Sequence, residues 1–244
     1  MKVLERIEKA LLSGKLHMTL LDPDKQSHED AALLAEKAVE YGSDAVMIGG
    51  STGVTKENMD ITIKAIKSRV DVPVIIFPTS AGALSSNADA IYFMSLMNSK
   101  SPVFLVRQQM IAAPIIKKMG IEPIPMGYIV VEPGMKVGEV GMADVIPRNK
   151  PGIAAAYAMA AEMFGLKVVY LEAGSGASEP VPPSMVREVR KSIEIPLIVG
   201  GGIRSAADAR KAVEAGGDII VTGTIAEDPA KLDVLREIIK AVKA

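Results

Sequence analysis

Three glycine-rich segments in the second half of the chain each follow a short apolar run and carry residue types that bind phosphate. They read YLEAGSGA at 170–177, VGGGIRS at 199–205 and VTGTI at 221–225. Glycines let the backbone approach an anion so closely that successive N–H groups point at its oxygens. A helix expected after Ser205 would add the positive end of its dipole. Each segment alone is compatible with a tight turn, but the three together predict a phosphate site.

Two carboxylates follow the first apolar run of the chain, in the sequence Asp-Pro-Asp-Lys at 22–25. Mg²⁺ in proteins prefers carboxylate oxygens together with oxygens of a substrate phosphate. Asp22 ends the run, directly before a proline, and is the stronger metal candidate. For Asp24 a turn residue that caps the following helix is an equally good interpretation. Ser51 and Thr52 follow the second run, and either could complete a metal or diphosphate site or belong to a small-residue turn.

Glu172 ends the sixth apolar run, two residues before the first glycine of the segment at 170–177. A carboxylate there can deprotonate a substrate hydroxyl; the alternative is a structural acid in an ion pair. The chain has two histidines, His17 and His28, and no cysteine. Neither histidine belongs to a metal-ligand motif, so we interpret both as structural or solvated, and thiol catalysis is excluded.

These candidates lie at the ends of short apolar runs that alternate with segments of helical period, which predicts parallel strands covered by helices. The predicted strands are 17–22, 45–49, 74–77, 90–94, 123–131, 168–172, 197–200 and 219–221. This number of strands in 244 residues predicts an α/β fold, the TIM (β/α)₈ barrel, for which about 250 residues is typical. In that fold, phosphate often binds after strands seven and eight. We expect a single domain over 1–244.

Two segments depart from the alternation of strand and helix. The stretch 78–89 is barely long enough for a crossover helix, so we expect a degenerate third helix or a loop. The stretch 132–151 is rich in glycine and proline, and we expect a long loop over the active face. Elsewhere helices are predicted at 29–41, 55–69, 103–119, 153–164, 183–192, 206–215 and 229–242, after an amphipathic amino-terminal helix.

Charge and composition exclude several classes of protein. A net charge of −1 without a basic run argues against a nucleic-acid partner. No apolar stretch reaches the roughly 18 residues of a membrane span, so we expect a cytoplasmic protein whose contact with lipid is at most peripheral. Methionine adapts to irregular apolar shapes, and the 14 methionines suit either ordinary packing or a groove for a long hydrocarbon. The groove candidates are Tyr92, Phe93, Met94, Met97, Met110, Met119, Met126, Tyr128, Met135, Met142, Met159 and Met163.

Five motifs of the chain resemble those of the geranylgeranylglyceryl phosphate synthases and of the related bacterial heptaprenylglyceryl phosphate synthases. They are HMTLLDPDK at 17–25, IGGST at 48–52, YLEAGSG at 170–176, VGGGIR at 199–204 and TGT at 222–224. The resemblance extends over essentially the whole chain, and it implies a modified barrel with a flexible segment in place of the third helix. It also implies an enzyme that uses Mg²⁺ and geranylgeranyl diphosphate to alkylate the sn-3 hydroxyl of sn-glycerol 1-phosphate. Pyrophosphate is released, and the product carries the first ether bond of archaeal membrane lipids.

The resemblance further implies roles for individual residues. Asp22 and Ser51 resemble the Mg²⁺ site, and Glu172 resembles the acid that orients, and can deprotonate, the acceptor hydroxyl. The residues that resemble the sn-glycerol 1-phosphate site are Tyr170, Leu171, Glu172, Ala173, Gly174, Ser175, Gly176, Gly201, Gly202, Gly223 and Thr224. A homo-oligomer, either dimer or hexamer, would suit the family and the apolar faces of the helix at 153–164.

The sequence leaves three alternatives open. A sugar-phosphate or histidine-pathway isomerase on the same barrel would need an acid–base pair on strands one and five, for which Glu132 is a candidate. A barrel that only sequesters a phosphorylated ligand would share the glycines without turnover. Within the family, a longer heptaprenyl donor would use the same site, because donor length depends on packing at the far end of the groove.

Overall fold

Eight parallel strands form a closed barrel in the computed structural model, which describes residues 1–50 and 53–244. Each strand pairs with the next in sequence, and the last pairs with the first to close the ring. The strands are β1 (Leu16–Leu21), β2 (Ala45–Ile48), β3 (Val74–Ile76), β4 (Ala90–Leu96), β5 (Glu122–Val130), β6 (Val168–Glu172), β7 (Leu197–Gly200) and β8 (Ile219–Thr222). The predicted TIM barrel is therefore confirmed, with strand ends displaced by only one or two residues.

Helices surround the barrel, and short polar side chains cap the starts of two of the late helical segments. Ser205 Oγ accepts a hydrogen bond from the Asp208 N–H at 3.1 Å, and Asp228 Oδ1 accepts one from the Ala230 N–H at 3.0 Å. Each satisfies a backbone donor that a helix start would otherwise leave unpaired. The helices are α1 (Val3–Leu11), α2 (His28–Glu40), α3 (Lys56–Lys67), α4 (Gln108–Met119), α5 (Met135–Val140), α6 (Pro151–Met163), α7 (Pro183–Ser192), α8 (Ala206–Glu214) and α9 (Leu232–Lys243).

Side chains of each strand alternate between the barrel interior and the layer beneath the helices, as the period of two in a strand requires. Tyr128 on β5 and Tyr170 on β6 point into the barrel, where their ring centroids are 5.1 Å apart. Phe77 and Tyr92 complete this aromatic cluster, with a centroid distance of 6.2 Å. The cluster fills the barrel towards the carboxyl ends of the strands and forms a floor beneath the site described below.

No helix connects β3 to β4, where residues 77–89 are all described and form only turns. This confirms the degenerate third unit expected from its length. Polar bonds hold the segment against α3: Ser85 Oγ donates to Asp60 Oδ1, and Asn87 Nδ2 donates to the same oxygen at 3.1 Å. Leu84, within the same segment, is buried. A short turn leaves more room above β3 and β4 than a full helix would.

Three local predictions were incomplete. The stretch 132–151 is not only a loop, because it contains the short helix α5; Gly138 and Gly141 concealed it, since glycine is a poor helix former. Asn98 holds this segment down by donating to the Asp144 carbonyl at 2.9 Å. The predicted helix at 103–119 begins with a π-helical turn at Val103–Arg107 before α4. The helix predicted from Pro229 likewise begins with a 3₁₀ turn, Pro229–Lys231, ahead of α9.

The described helices include none with both the length and the apolar composition needed to cross a bilayer.

Candidate active site

A small polar cavity of about 50 Å³ lies at the carboxyl ends of β6, β7 and β8, where the three glycine-rich segments meet. Ser175 Oγ and Thr224 Oγ1 lie 3.2 Å apart across it, so hydroxyls from two loops face one point. Arg204 braces the first loop by donating to the Gly176 carbonyl at 2.7 Å. Predicted phosphate-site residues that line the cavity are Tyr170, Glu172, Ser175, Gly176, Gly201, Gly202, Gly223 and Thr224.

Close approach of backbone segments explains two of the glycines but not the third. Gly201 and Gly202 have φ angles of +79° and +72°, in the left-handed region that favours glycine. A Cβ on Gly201 would lie 2.2 Å from Glu172 Oε1, and one on Gly202 would lie 2.5 Å from the Glu179 carbonyl oxygen. A Cβ on Gly223 would meet nothing nearer than 3.7 Å. Packing therefore does not require a glycine at Gly223, which borders open space in the cavity.

Glu172 ends β6 with its carboxylate buried between the barrel interior and the polar cavity. Its Oε1 accepts the Gly174 N–H at 2.6 Å, and its Oε2 accepts the Tyr128 hydroxyl at 3.1 Å. Burial raises the pKa of this carboxyl above its ordinary value, and the hydrogen bonds from Gly174, Tyr128 and Tyr170 oppose that rise because they favour the anion. Glu172 is thus a fixed carboxylate with an enhanced tendency to take up a proton.

A larger groove of about 420 Å³ opens beside the polar cavity and runs over β3 and β4 towards α4. Its walls are mostly apolar, with the aromatic cluster at one end and the turn segment 77–89 along one side. Leu20, Glu172, Ser175 and Gly223 line both spaces, so the cavity and the groove adjoin at these residues. The apolar residues along the groove include Leu84, Ile91, Phe93, Met94, Leu96, Phe104, Ala112, Ile116, Val137 and Val140.

The predicted methionine lining is mostly wrong. Tyr92, Phe93, Met94 and Tyr128 do line the groove, but the other eight methionines named do not. Met126 lies wholly inside the barrel core, whereas Met110, Met142 and Met163 are exposed on the surface. The groove is instead lined by leucine, isoleucine and phenylalanine, which the sequence does not distinguish from ordinary core residues.

Asp22 lies at the mouth of the groove, directly after β1, and is buried. Its Oδ1 accepts the Asp24 N–H at 3.1 Å, and a Cβ on Gly50 would lie 2.2 Å from Asp22 Oδ2, so the loop after β2 packs tightly on this carboxylate. Burial raises the pKa of Asp22, and the negative charges of Glu227 and Asp24 add to that rise, while the Asp24 N–H and Lys25 oppose it. A nearby cation would relieve this repulsion.

Two residues were missed as functional candidates, one at this mouth and one beside Glu172. Glu227 follows β8 and accepts the Asp22 N–H at 3.0 Å, and it pairs with Lys25 Nζ at 2.7 Å. The available signal was topological: in a closed barrel β8 neighbours β1, so an acid shortly after β8 comes close to the Asp-Pro-Asp-Lys loop. Tyr128 was named only for the groove, and its hydrogen bond to Glu172 was not foreseen.

The mouth suits Mg²⁺ in its donor chemistry. Over residues 1–50 and 53–244 no three His, Asp or Glu side chains are grouped as a protein-only metal cage. Mg²⁺ commonly binds through one or two carboxylates, its waters and substrate phosphate oxygens. Asp22 offers such a carboxylate at the edge of the groove. Ser51, the other predicted ligand, lies outside the described residues, as does Thr52.

Several other candidates lie away from the site. The side chains of Leu171 and Ala173 are buried in the layer beneath the helices and do not line the cavity. Glu132 is exposed and accepts the Arg148 N–H at 3.1 Å, so it does not face the groove as an isomerase base would. His17 is fully buried between Ser43 Oγ at 3.1 Å and Thr222 Oγ1 at 2.9 Å. His17 is therefore structural, as predicted.

His28 is on the surface, where it pairs with Glu29 at 2.7 Å. This agrees with its interpretation as a solvated residue.

Fold and site together define a phosphate-binding (β/α)₈ barrel in which a buried carboxylate lies between a polar cavity and an apolar groove. The family model described as the PcrB family matches residues 8–243. The chain belongs to the PcrB family. The geranylgeranylglyceryl phosphate synthase of Thermococcus gammatolerans is 53% identical to the chain over 236 residues, which cover 97% of this chain and 94% of that protein. The synthase of Pyrococcus horikoshii is 52% identical over 242 residues, covering 99% and 95% respectively.

Solved structures show the same relationship. The crystal structure of (S)-3-O-geranylgeranylglyceryl phosphate synthase from Thermoplasma acidophilum, in complex with its substrate sn-glycerol-1-phosphate, is 46% identical with a TM-score of 0.96. The match covers 100% of this chain and 99% of that one. A thiamine phosphate pyrophosphorylase from Pyrococcus furiosus, at 16% identity and a TM-score of 0.61 over 95% of this chain and 97% of that one, shares the fold alone.

Proposed function

We propose that the chain joins the geranylgeranyl group of geranylgeranyl diphosphate to the sn-3 hydroxyl of sn-glycerol 1-phosphate and releases pyrophosphate. The observation that carries this proposal is that the polar cavity and the apolar groove adjoin and share Glu172, Ser175 and Gly223 as lining residues. A small phosphate ester and a long hydrocarbon need two such different spaces, and a reaction between them needs the spaces to meet. The curated relatives named for this product, and the relative whose structure holds sn-glycerol-1-phosphate, support it.

The acceptor fits the cavity with its phosphate on the late loops. Gly201, Gly202 and Gly223 line this cavity together with Ser175 and Thr224, so we place the phosphate among their backbone N–H groups and hydroxyls. The start of α8 adds the positive end of a helix dipole. With the phosphate held there, the far hydroxyl of the glycerol extends towards Glu172, the carboxylate shared with the groove.

Chemistry then takes place at the junction of the two spaces. The hydroxyl oxygen forms a bond to the allylic carbon of the donor as the bond from that carbon to the diphosphate oxygen breaks, and pyrophosphate leaves with the electron pair. Glu172 accepts the hydroxyl proton, for which its raised pKa suits it. Mg²⁺, when bound at Asp22, would neutralise the charge on the leaving diphosphate. The apolar groove walls hold the hydrocarbon and exclude water from the reacting carbon.

A donor series tests the proposal. The purified protein is incubated with sn-glycerol 1-phosphate, Mg²⁺ and geranylgeranyl, farnesyl or heptaprenyl diphosphate, and extracted prenylglyceryl phosphate is measured by mass spectrometry. We expect most product with the geranylgeranyl donor. Preference for the heptaprenyl donor would replace the proposed donor with the longer one. If the protein binds the phosphate ester but forms no product with any donor, the proposed reaction is wrong and the barrel only sequesters its ligand.

The proposed metal site is tested on Asp22 and its neighbour. Asp22→Asn should raise the Mg²⁺ concentration needed for half-maximal turnover about tenfold, since it removes the carboxylate ligand. It should also abolish the Mg²⁺-dependent tightening of inorganic pyrophosphate binding measured by calorimetry. Asp24→Asn is the matched control, and unchanged metal dependence in the Asp22 variant would remove Asp22 from the site.

A cytoplasmic homo-oligomer is the form in which we expect the enzyme to work. Apolar side chains are exposed near both ends of α6 and just after it: Ile153 at 45%, Met163 at 82% and Phe164 at 76%. Grouped exposed apolar residues are typical of protein contacts. Light scattering on the purified protein should give a dimer or hexamer, and a monomer across the micromolar range would contradict this.

A further inference from the structure

Glu227 connects two loops of the site that are far apart in sequence. Its backbone N–H donates to the Gly223 carbonyl at 3.1 Å, which ties it to the phosphate loop after β8. Its side chain extends the other way, to the loop after β1. There Oε1 accepts the Asp22 N–H at 3.0 Å, and Oε2 accepts from Lys25 Nζ at 2.7 Å.

Burial gives these bonds more weight than a surface ion pair has. The Glu227 side chain is 9% exposed, whereas Lys25 is 49% exposed. Exposed pairs contribute little, but a carboxylate removed from water depends on the donors around it. Both Glu227 oxygens already have partners, so as placed it holds the neighbouring loop and is not a free metal ligand.

The position of these groups relates them to both proposed substrates. Asp22, Lys25 and Glu227 line the mouth of the apolar groove, where the donor diphosphate would lie. Gly223, to which Glu227 is tied, lines the groove and the polar cavity alike. A phosphate group that orders the loop after β8 therefore also orders Glu227, whose carboxylate holds Asp22 and Lys25.

We propose that Glu227 is a positioning residue that couples the two substrate sites. With a phosphate ester bound at Gly223 and Thr224, Glu227 holds the Asp22 backbone and the Lys25 ammonium where they receive the second substrate's diphosphate. This inference rests on the proposed function for the identity of the two ligands. Coupling of this kind is reciprocal, so each ligand tightens the binding of the other by the same factor.

Calorimetry on the full chain tests the coupling without turnover. Inorganic pyrophosphate with Mg²⁺ is titrated into the protein in the absence and presence of saturating sn-glycerol 1-phosphate. In the unaltered protein we expect the ester to lower the pyrophosphate Kd by about fivefold or more, within the usual range of coupling between sites. The coupling ratio is the pyrophosphate Kd without the ester divided by the Kd with it. In Glu227→Gln this ratio should fall to about one, and the Kd for the ester alone should change less than about twofold.

A matched control distinguishes coupling from loss of any ion pair. Glu40 on α2 pairs with Lys37 at the same 2.7 Å, but both are exposed and away from the groove. Glu40→Gln should keep the full ratio. In a double-mutant cycle, Lys25→Gln and Glu227→Gln should be strongly non-additive for the pyrophosphate Kd, because Glu227 acts on the diphosphate by positioning Lys25.

Three results would overturn the proposal: no coupling in the unaltered protein, full coupling in Glu227→Gln, or equal weakening of both ligands together with a lower Tm. The last would make Glu227 a purely structural residue. A failure of the proposed function would be seen elsewhere, as absence of prenylated product from the unaltered protein with every donor, whatever the pyrophosphate titration gives.

Discussion

The hydroxyl of Tyr128 lies 3.1 Å from Glu172 Oε2, and both side chains are buried at the junction of the cavity and the groove. Burial raises the pKa of the Tyr128 phenol well above its ordinary value, and the adjacent Glu172 raises it further, so the phenol remains a donor. The second carboxylate oxygen is held by the Gly174 N–H at 2.6 Å. The proposed proton acceptor is therefore oriented by one bond from the β5 wall and one from its own loop.

Removing the tyrosine hydroxyl should change the pH profile of the reaction. Tyr128→Phe keeps the ring contacts but deletes a hydrogen bond to a charged group, which is typically worth about 1.5–3 kcal/mol. That bond lowers the pKa of Glu172, so its loss raises the pKa and moves the acidic limb of the rate profile to higher pH. At neutral pH we expect kcat to fall about tenfold. A profile that keeps its acidic limb would show that Tyr128 does not tune Glu172.

Replacing the buried carboxylate should remove most turnover while leaving the acceptor bound. Glu172→Gln preserves the shape and the hydrogen bond from Gly174, and general-base contributions suggest a loss in kcat on the order of 10²–10⁴. The Kd of sn-glycerol 1-phosphate, measured by calorimetry, should change little. Glu132→Gln is the matched control, since that acid is exposed on the neighbouring strand end. Retained turnover in the Glu172 variant would exclude it as the proton acceptor.

Two glycines that line the polar cavity, Gly223 and Gly202, should respond differently to an added methyl group. Gly223→Ala introduces a Cβ with 3.7 Å of clearance, so we expect an unchanged Tm and a raised KM for the phosphate ester. Gly202→Ala forces a left-handed alanine against the Glu179 carbonyl, which should cost about 1–3 kcal/mol of stability. Thermal melts and steady-state kinetics on both variants separate the two effects. An unaltered KM in Gly223→Ala would place the phosphate elsewhere.

The buried histidine should make the protein sensitive to acid. Burial and the nearby Lys243 lower the pKa of His17 from 6.5 to about 3. The folded state thus binds fewer protons than the unfolded state between these values, so stability is lost as pH falls from 6.5 towards 3. At about 1.4 kcal/mol per unit the loss is at most about 5 kcal/mol. Urea unfolding of His17→Gln should show a shallower decline than the unaltered protein.

An equal decline in the unaltered protein and in His17→Gln would show that other groups govern acid unfolding.

Regular elements of the fold follow from local sequence, and those predictions held. The strands are continuous apolar runs, and the helix expected after Ser205 begins there, at Ala206. The late glycines were found because a barrel brings the ends of β6, β7 and β8 together. The helix α5 was missed because it contains Gly138 and is followed by Gly141. A side chain at these positions would crowd Val145 and Leu96 respectively, a tertiary constraint that the local sequence does not reveal.

Residues that act across the barrel were beyond prediction from spacing alone. Glu227 and Asp22 are separated by 205 positions, and Tyr128 and Glu172 by 44, so neither pair has a local signature. The prediction of the residues that line the groove failed for another reason. A methionine or leucine has the same hydrophobic signal whether it faces the core or a ligand, and only the packing of the short third unit creates the open space.

In the proposed reaction, the polar cavity holds sn-glycerol 1-phosphate with its free terminal hydroxyl at Glu172. The most direct measurement offers the enzyme geranylgeranyl diphosphate and Mg²⁺ with sn-glycerol 1-phosphate or its enantiomer, sn-glycerol 3-phosphate, in parallel, and quantifies the prenylated product by mass spectrometry. A fixed carboxylate and fixed phosphate loops predict product from the 1-phosphate alone. Equal product from both enantiomers, or product only from the 3-phosphate, would contradict that placement of the acceptor.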